Sequence, residues 1–369
     1  MPVEREDERK AYLADAGWGA AKVAPIPGDA STRSYARLDL NGRKAILMDQ
    51  PQHAETPVAT ANATPEERRA LGYNAIARLA GADVERFAAT AEYLRGHGYS
   101  APEIFHVDGK AGFAVIEDLG NDLYHDVMAA GSDELPLYKV AVEALANLHL
   151  QAAPKMLPRD KALHAYDETA LLAEVELFPE WFFPVGLGRK ATPEDIEEHK
   201  QLWRAALLPV MDKPAVFVHR DYHSQNLLWL PDRKGVARVG MIDFQDGLAG
   251  SAAYDLMSLL EDARRDVSPE ILEAGTRHYI DTARAIGLPV DEEAFRAEMA
   301  LLSGQRKAKV LGIFARLYKR DGKPRYLTLL PRVWGYMNRG LEHPALRDLK
   351  TWYDRNVPME ARGEPRVAA

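Results

Sequence analysis

The stretch "VFVHRDYHSQNLLWL", residues 216–230, constrains this chain more than any other part of it. An apolar run, Val216 to Val218, leads into His219, Arg220 and Asp221, and a second apolar run starts at Leu227, directly after Asn226. The composition of the two runs reads as strand, loop, strand. A carboxylate and an amide five positions apart on such a loop suit phosphoryl transfer. The aspartate accepts the proton of an attacking hydroxyl, while the amide reaches a Mg²⁺ on the phosphates. That chemistry calls for a second carboxylate on a following strand, and "ARVGMIDFQD" supplies it as an apolar strand ending in Asp243.

Each piece alone has a bland reading. An aspartate at a strand end is commonly a turn residue, and histidines commonly cap or pack. The pieces carry weight because they occur together, in order. His219 and His223 are four apart, which would suit a metal on a helix, but they follow a strand and no glutamate stands between them. The chain has no cysteine, so thiolate nucleophiles, Cys-ligated zinc and iron–sulfur centres are excluded, and any metal is held by oxygen or imidazole. That favours Mg²⁺.

A net charge of −8 and a pI near 5.8 exclude nucleic acid as the main partner. The start, "MPVEREDERK", has no apolar leader segment, and no apolar stretch approaches the roughly 18 residues that span a bilayer. A cytoplasmic protein with no membrane partner is expected. With 369 residues, 47% of them hydrophobic, it can bury one large core or two lobes.

Residues 17–50 predict a β-rich beginning: turn, strand, turn, strand, with "NGR" as a hairpin turn. Thr64, Pro65 and Glu67 form a capping box that opens a helix with a break near Gly72. Residues 86–96 predict a further helix, and "APEIFHVDGKAGFAVIEDLG" predicts two strands joined at Asp108-Gly109-Lys110, with Gly120 closing the second. From Tyr138 the spacing of Val142, Leu145 and Leu148 is helical, and most of the remaining chain is helix. A second capping box, Thr192 to Asp195, opens a helix to about Leu208, and Asp291 opens a long one. "GLGRKA" at 186–191 satisfies a dinucleotide-binding pattern but lacks the strand before it and the helix directly after it. No P-loop pattern occurs.

The catalytic stretch matches the His-Arg-Asp-x4-Asn loop of protein kinases, and Asp243 takes the position of their Asp-Phe-Gly aspartate. Together these residues resemble the aminoglycoside phosphotransferase and choline kinase superfamily. "GDASTRSYAR", "MIDFQD", "AYDLMSLLEDAR" and "KVLGIFARLYKRDGKPRYL" look more specifically like the anomeric N-acetylmuramate/N-acetylglucosamine kinases of bacterial cell-wall recycling. The resemblance implies an α+β, bilobal protein-kinase-like fold: a β-rich nucleotide-binding lobe over 1–118 and a mostly helical lobe over 119–369. It implies ATP and Mg²⁺ as cofactors and a small amino sugar as substrate, phosphorylated at its C1 hydroxyl. Carried onto this chain, it makes Asp221 the catalytic base and Asn226 and Asp243 the metal ligands. His219 and Asp255 support the catalytic loop. Ser31, Thr32 and Arg33 fall where a phosphate-covering loop belongs, a stretch that also reads as a plain hairpin turn, and Glu117, Asp118 and Leu119 fall at the hinge that meets adenine.

One departure stands out. Kinases place a lysine where this chain has Met48; Lys44, four residues earlier on the same strand face, and Arg33 are the candidate substitutes. The helical glutamate that usually pairs with that lysine is either Glu85 or Glu92. Arg264 and Arg306, in "EDARRDV" and "GQRKAKVLGIF", put cations in the helical lobe, where an aminoglycoside site would want carboxylates. They suit a sugar bearing a lactyl carboxylate, although any one of them also reads as a solvated basic face. The rival readings are a kinase of another small hydroxyl compound, such as an aminoglycoside, an amino alcohol or homoserine, and a catalytically silent nucleotide-binding scaffold.

Overall fold

A computed structural model describes residues 3–27, 33–51, 58–60, 63–79, 83–211, 213 and 215–365. The chain folds into two compact units. One comprises Met1–Ala144, Pro154–His164 and Gln225–Gly247; the other comprises Leu145–Ala153, Ala165–Ser224 and Leu248–Ala369.

The first unit is built on an antiparallel sheet of five strands: β1 (Lys22–Ile26), β2 (Ser34–Leu40), β3 (Arg43–Asp49), β4 (Ile104–Asp108) and β5 (Phe113–Ile116), in the order β1-β2-β3-β5-β4. Asn41 and Gly42 join β2 to β3 with φ of 54° and 89°, the tight hairpin turn that the Asn-Gly pair predicts. In that hairpin Ser34 pairs with Asp49, Tyr35 with Met48 and Asp39 with Lys44. The capping box at Thr64 is formed in both directions, and its helix, Pro65–Leu71, stops at Gly72 with φ of 97°. The chain beyond does not resume that helix but makes one wide turn over Asn74–Arg78.

The strands of residues 17–50 form as predicted, and before them Val3–Asp15 is a helix that the sequence reading left unassigned. Tyr12 and Leu13 at its end, with Trp18, join Leu38, Leu47, Phe113 and Val115 in one core cluster. Arg5 lies 3.8 Å over the Phe113 ring and donates to Asp49 at 3.0 Å. An isolated helix of this length is marginal in water, so the sheet beneath it supplies its stability.

The second unit is helical. Its axis is the 28-residue helix Glu292–Lys319, opened by Asp291, whose side chain accepts from Ala294 N. The capping box at Thr192 and Asp195 starts the helix Pro193–Met211 as expected. Helix Glu168–Leu177 crosses the long helix so closely that a Cβ on Gly312 would come within 2.4 Å of the Leu177 carbonyl. Only glycine fits there. "GLGRKA" begins inside the wide helical segment Phe178–Leu187, where the dinucleotide pattern would require a preceding strand. Among the described residues no helix is long and apolar enough to cross a membrane.

Candidate functional site

In the first unit, strands Leu227–Trp229 and Val239–Met241 pair antiparallel, with Met241 opposite Leu227. The ladder continues one step further, where Ile242 N–H donates to the Asn226 carbonyl at 3.1 Å. This register brings Asn226 and Asp243, 17 residues apart in sequence, to the same open end of the hairpin. Asp243 sits at φ 63°, a conformation that a non-glycine residue keeps only when its surroundings over-determine it.

Three arginines do so. Arg33 Nη2 donates to Asp243 Oδ1 at 2.9 Å, Arg78 pairs with Asp246 at 3.1 Å, and Arg86 donates to the carbonyls of Gln245 and Gly247. Gln245 Nε2 adds a second bond to Asp243 Oδ1 at 2.9 Å, and buried Phe244 stacks on Phe87 with centroids 4.9 Å apart. Arg33 is buried while the Asp243 carboxylate is 41% exposed, so the cation backs the carboxylate and leaves it accessible. Ser31 and Thr32 lie outside the described residues.

The hairpin register separates the two candidate phosphate cations. Arg33 precedes the Ser34–Asp49 pair, while Lys44 lies opposite Asp39, six residues beyond Arg33. At ~3.4 Å per residue that is roughly 20 Å. Lys44 lines a hollow of about 200 Å³ with Arg37, Asp118, Gly120 and Asn121 at that far end. The glutamates expected to pair with a lysine do not: Glu85 and Glu92 both accept from Arg159, at 2.8 and 2.7 Å. Glu117 accepts from Arg233 and Arg95 at 2.6 and 3.2 Å, and its N–H donates to the Glu103 carbonyl. Asp118 pairs with Arg37 at 2.6 Å, and Leu119 packs toward Gly240.

In the second unit, strand Val216–Val218 pairs with Leu248–Gly250 and delivers His219, Arg220 and Asp221. Asp255, on helix Ala253–Leu260, accepts from the N–H of His219 at 2.6 Å and of Arg220 at 2.9 Å. Arg220 holds φ 76°, which turns the chain before Asp221. Its buried side chain pairs with fully buried Glu174, which also accepts from Lys309 at 2.7 Å, Gln305 at 3.0 Å and the Tyr166 hydroxyl. Arg306 donates through Nη1 to the Arg220 carbonyl at 2.8 Å and the Tyr254 hydroxyl at 3.0 Å, and through Nη2 to Asp221 Oδ1 at 3.2 Å.

The electrostatics follow from this arrangement. Burial pushes the Asp221 carboxyl up, but Arg306 and Lys309, with His223 and Arg220, pull harder and hold it well below the usual carboxylate range. For Asp255 burial wins over its two N–H donors, and its carboxyl is pushed up to about 7. Beyond Asp221, buried Asp262 accepts from Ser224 Oγ at 2.5 Å and from Arg264 N at 2.8 Å. Arg264 Nη1 lies 3.3 Å from His223 Nε2. Burial lowers the His223 pKa to about 4, against the pull of Asp262.

Of the sequence-predicted residues, Asn226 and Asp243 share one hairpin end in the first unit, and His219, Asp221 and Asp255, the last expected from the resemblance, lie together in the second. The sequence reading passed over Glu174, Tyr254, Arg78 and Arg86. A signal existed for part of this set. "GQRKAK" puts four polar or charged side chains in the middle of a helix where Gln305, Arg306, Lys307 and Lys309 are all buried, which demands buried partners of opposite charge.

The phosphotransferase enzyme family matches residues 22–289 of the chain. The N-acetylmuramate/N-acetylglucosamine kinase of Caulobacter vibrioides is 44% identical to it, over 98% of this chain and 99% of its own length. The protein of the same description from Pseudomonas aeruginosa is 32% identical over 90% of this chain and 89% of its own. Among solved structures, choline kinase LicA from Streptococcus pneumoniae matches with a TM-score of 0.56 at 13% identity, covering 94% of this chain and 100% of its own, a likeness of fold.

Proposed function

The chain belongs to the phosphotransferase enzyme family, and from that premise we propose that it transfers a phosphoryl group from ATP to the anomeric C1 hydroxyl of N-acetylmuramate and N-acetylglucosamine. The observation that most supports this substrate class is the 44% identity, over nearly the full length of both chains, to the Caulobacter kinase of that description. The activity belongs, on this reading, to cytoplasmic recycling of cell-wall amino sugars.

Asn226 and Asp243 offer an amide oxygen and a carboxylate at one hairpin end, an all-oxygen set of the kind Mg²⁺ takes. The guanidinium against Asp243 Oδ1 is the kind of partner that a carboxylate at a cation site attracts. When bound, Mg²⁺ neutralises charge on the phosphate oxygens. Arg33, beside Asp243, is the cation proposed for the nucleotide phosphates. Lys44, about six strand residues away, is assigned no phosphate. The backbone of Glu117 to Leu119 is proposed to meet adenine.

Asp221 orients the acceptor hydroxyl and takes its proton. An anomeric hydroxyl is more acidic than an ordinary alcohol, so a carboxylate of low basicity serves when the proton moves late in a loose transition state. Arg264, half-buried beside His223, is the cation proposed for the lactyl carboxylate of N-acetylmuramate. Phosphorus-coupled NMR of the product with Mg·ATP and each sugar tests the reading. Phosphorus coupled to H1 is expected. Coupling to H6, or turnover only with a cationic aminoglycoside, moves the enzyme to the rival substrate class, and no turnover with any acceptor makes it a scaffold.

A further inference from the structure

We propose that Arg306 is a positioning residue for the phosphoryl acceptor step: by bridging the Arg220 carbonyl and the Asp221 carboxylate it fixes the direction in which Asp221 presents itself. The chemistry of that step rests on the sugar-kinase reading, which leaves the role of Arg306 open. A cation in this stretch suits the carboxylate of a sugar, but this guanidinium is engaged by the Arg220 carbonyl, the Tyr254 hydroxyl and Asp221.

The geometry gives Arg306 a grip on both the backbone and the side chain of the turn. Nη1 meets the Arg220 carbonyl at 2.8 Å and the Tyr254 hydroxyl at 3.0 Å, and Nη2 meets Asp221 Oδ1 at 3.2 Å. Arg220 holds φ 76°, a strained conformation for a side-chain-bearing residue, and its peptide groups are held at both ends. Its N–H donates to Asp255 and its carbonyl accepts from Arg306. The direction of Asp221 is therefore set from two sides. The planar fork of a guanidinium holds its acceptors through two nitrogens fixed in one plane, which the single nitrogen of a lysine does not.

Exposure assigns front and back. The Arg306 side chain is 10% exposed and that of Asp221 35%, so the cation stands behind the carboxylate. The platform is rigid as well. Gln305 and Lys309, on either side of Arg306 along the long helix, are both tied to Glu174, which also holds the Arg220 side chain. Loop and helix are thus joined by two charge clusters, one at Glu174 and one at Asp221. In the step this serves, the acceptor oxygen forms a bond to the γ-phosphorus as the bond to the ADP oxygen breaks. The acceptor proton passes to Asp221 and from there to solvent.

The test compares wild type, Arg306→Ala and Arg306→Lys with Mg·ATP and each sugar. Arg306→Ala is expected to lower kcat by roughly 10- to 100-fold for both sugars, with each KM within about threefold of wild type. The preference between N-acetylmuramate and N-acetylglucosamine should stay unchanged, and added guanidinium ion should restore part of kcat. Should Arg306→Ala fail to fold, Arg306→Lys carries the test, because it keeps the charge in the cluster. It is expected to lose about tenfold in kcat at unchanged sugar KM. A selective rise in KM for N-acetylmuramate makes Arg306 a substrate contact and overturns the proposal while leaving the kinase reading intact. Full kcat in Arg306→Lys, with no rescue of Arg306→Ala, overturns it as well. Wild type that phosphorylates neither sugar overturns the sugar reading, and this proposal with it.

Discussion

Replacing Asp255 tests whether it braces the turn that carries Asp221. Its carboxylate is fully buried and receives two backbone N–H groups, from His219 and Arg220. Asp255→Ala leaves both donors without that acceptor, and a buried donor left unpaired costs about 1–3 kcal/mol, so the loss is about 2–6 kcal/mol. Asp255→Asn keeps one acceptor oxygen and turns an amide N–H₂ toward the other donor, for a loss of about 1–3 kcal/mol. The asparagine variant also escapes the burial cost that pushes the native carboxyl up to about 7, which places it at the mild end of its range. Against a usual total of about 5–15 kcal/mol, the alanine variant is seriously weakened and the asparagine variant is not. At about 2–4 °C per kcal/mol for a domain of about 150–250 residues, a thermal melt separates the two. Arg220, freed from its strained φ, no longer fixes Asp221, so kcat should fall in both variants while the nucleotide KM holds. An Asp255→Ala protein that melts within 2 °C of wild type, by an assay good to about 1 °C, and turns over normally would refute the brace.

Asp221→Asn should keep Mg·ATP binding and lose about 100-fold or more in kcat, whereas Asp243→Ala should weaken Mg²⁺-dependent ATP binding by calorimetry; equal ATP affinity in the two variants would undo the division of roles. Arg33→Ala should cost about 10- to 100-fold in kcat/KM for ATP and Lys44→Ala less than about threefold, and the reverse order in steady-state kinetics would return the phosphate cation to Lys44. Burial lowers the His199 pKa to about 3, and the indole N–H of Trp203 donates to its Nε2 at 3.0 Å, so the folded state holds it neutral. The unfolded chain takes up that proton first as pH falls below about 6.5, so the stability His199 contributes is present above that pH and lost below it, at about 1.4 kcal/mol per pH unit. Urea titrations of wild type and His199→Gln should show a gap that narrows from pH 8 to pH 5 by about 2 kcal/mol, and a constant gap would contradict a neutral buried imidazole.

The features legible in the sequence are those set by neighbours within a few residues. The Asn41-Gly42 turn, the capping boxes at Thr64 and Thr192, the cap at Asp291 and the stop at Gly72 all formed as their local chemistry requires. The placement of Asp221, Asn226 and Asp243 at strand ends was legible for the same reason, because short strand–loop–strand segments fix it. The helix Val3–Asp15 was not legible, because its apolar anchors are few and its stability comes from the sheet it covers.

Long side chains were the least legible, because their partners depend on elements far apart in the chain. Sequence offered Arg33 and Lys44 as equals; the register of one hairpin and a contact spanning 210 residues put Arg33 against Asp243. It left Glu85 and Glu92 competing for a lysine, and Arg159, 67 residues beyond Glu92, took both. It saw Arg306 as one of several cations, and only the crossing of the long helix under the catalytic loop turned that guanidinium toward Asp221, 85 residues away. Caps and turns are decided by hydrogen bonds within about four residues, which sequence states directly. The partner of a buried charge is decided by which surfaces pack together, because only there is desolvation offset by an opposite charge.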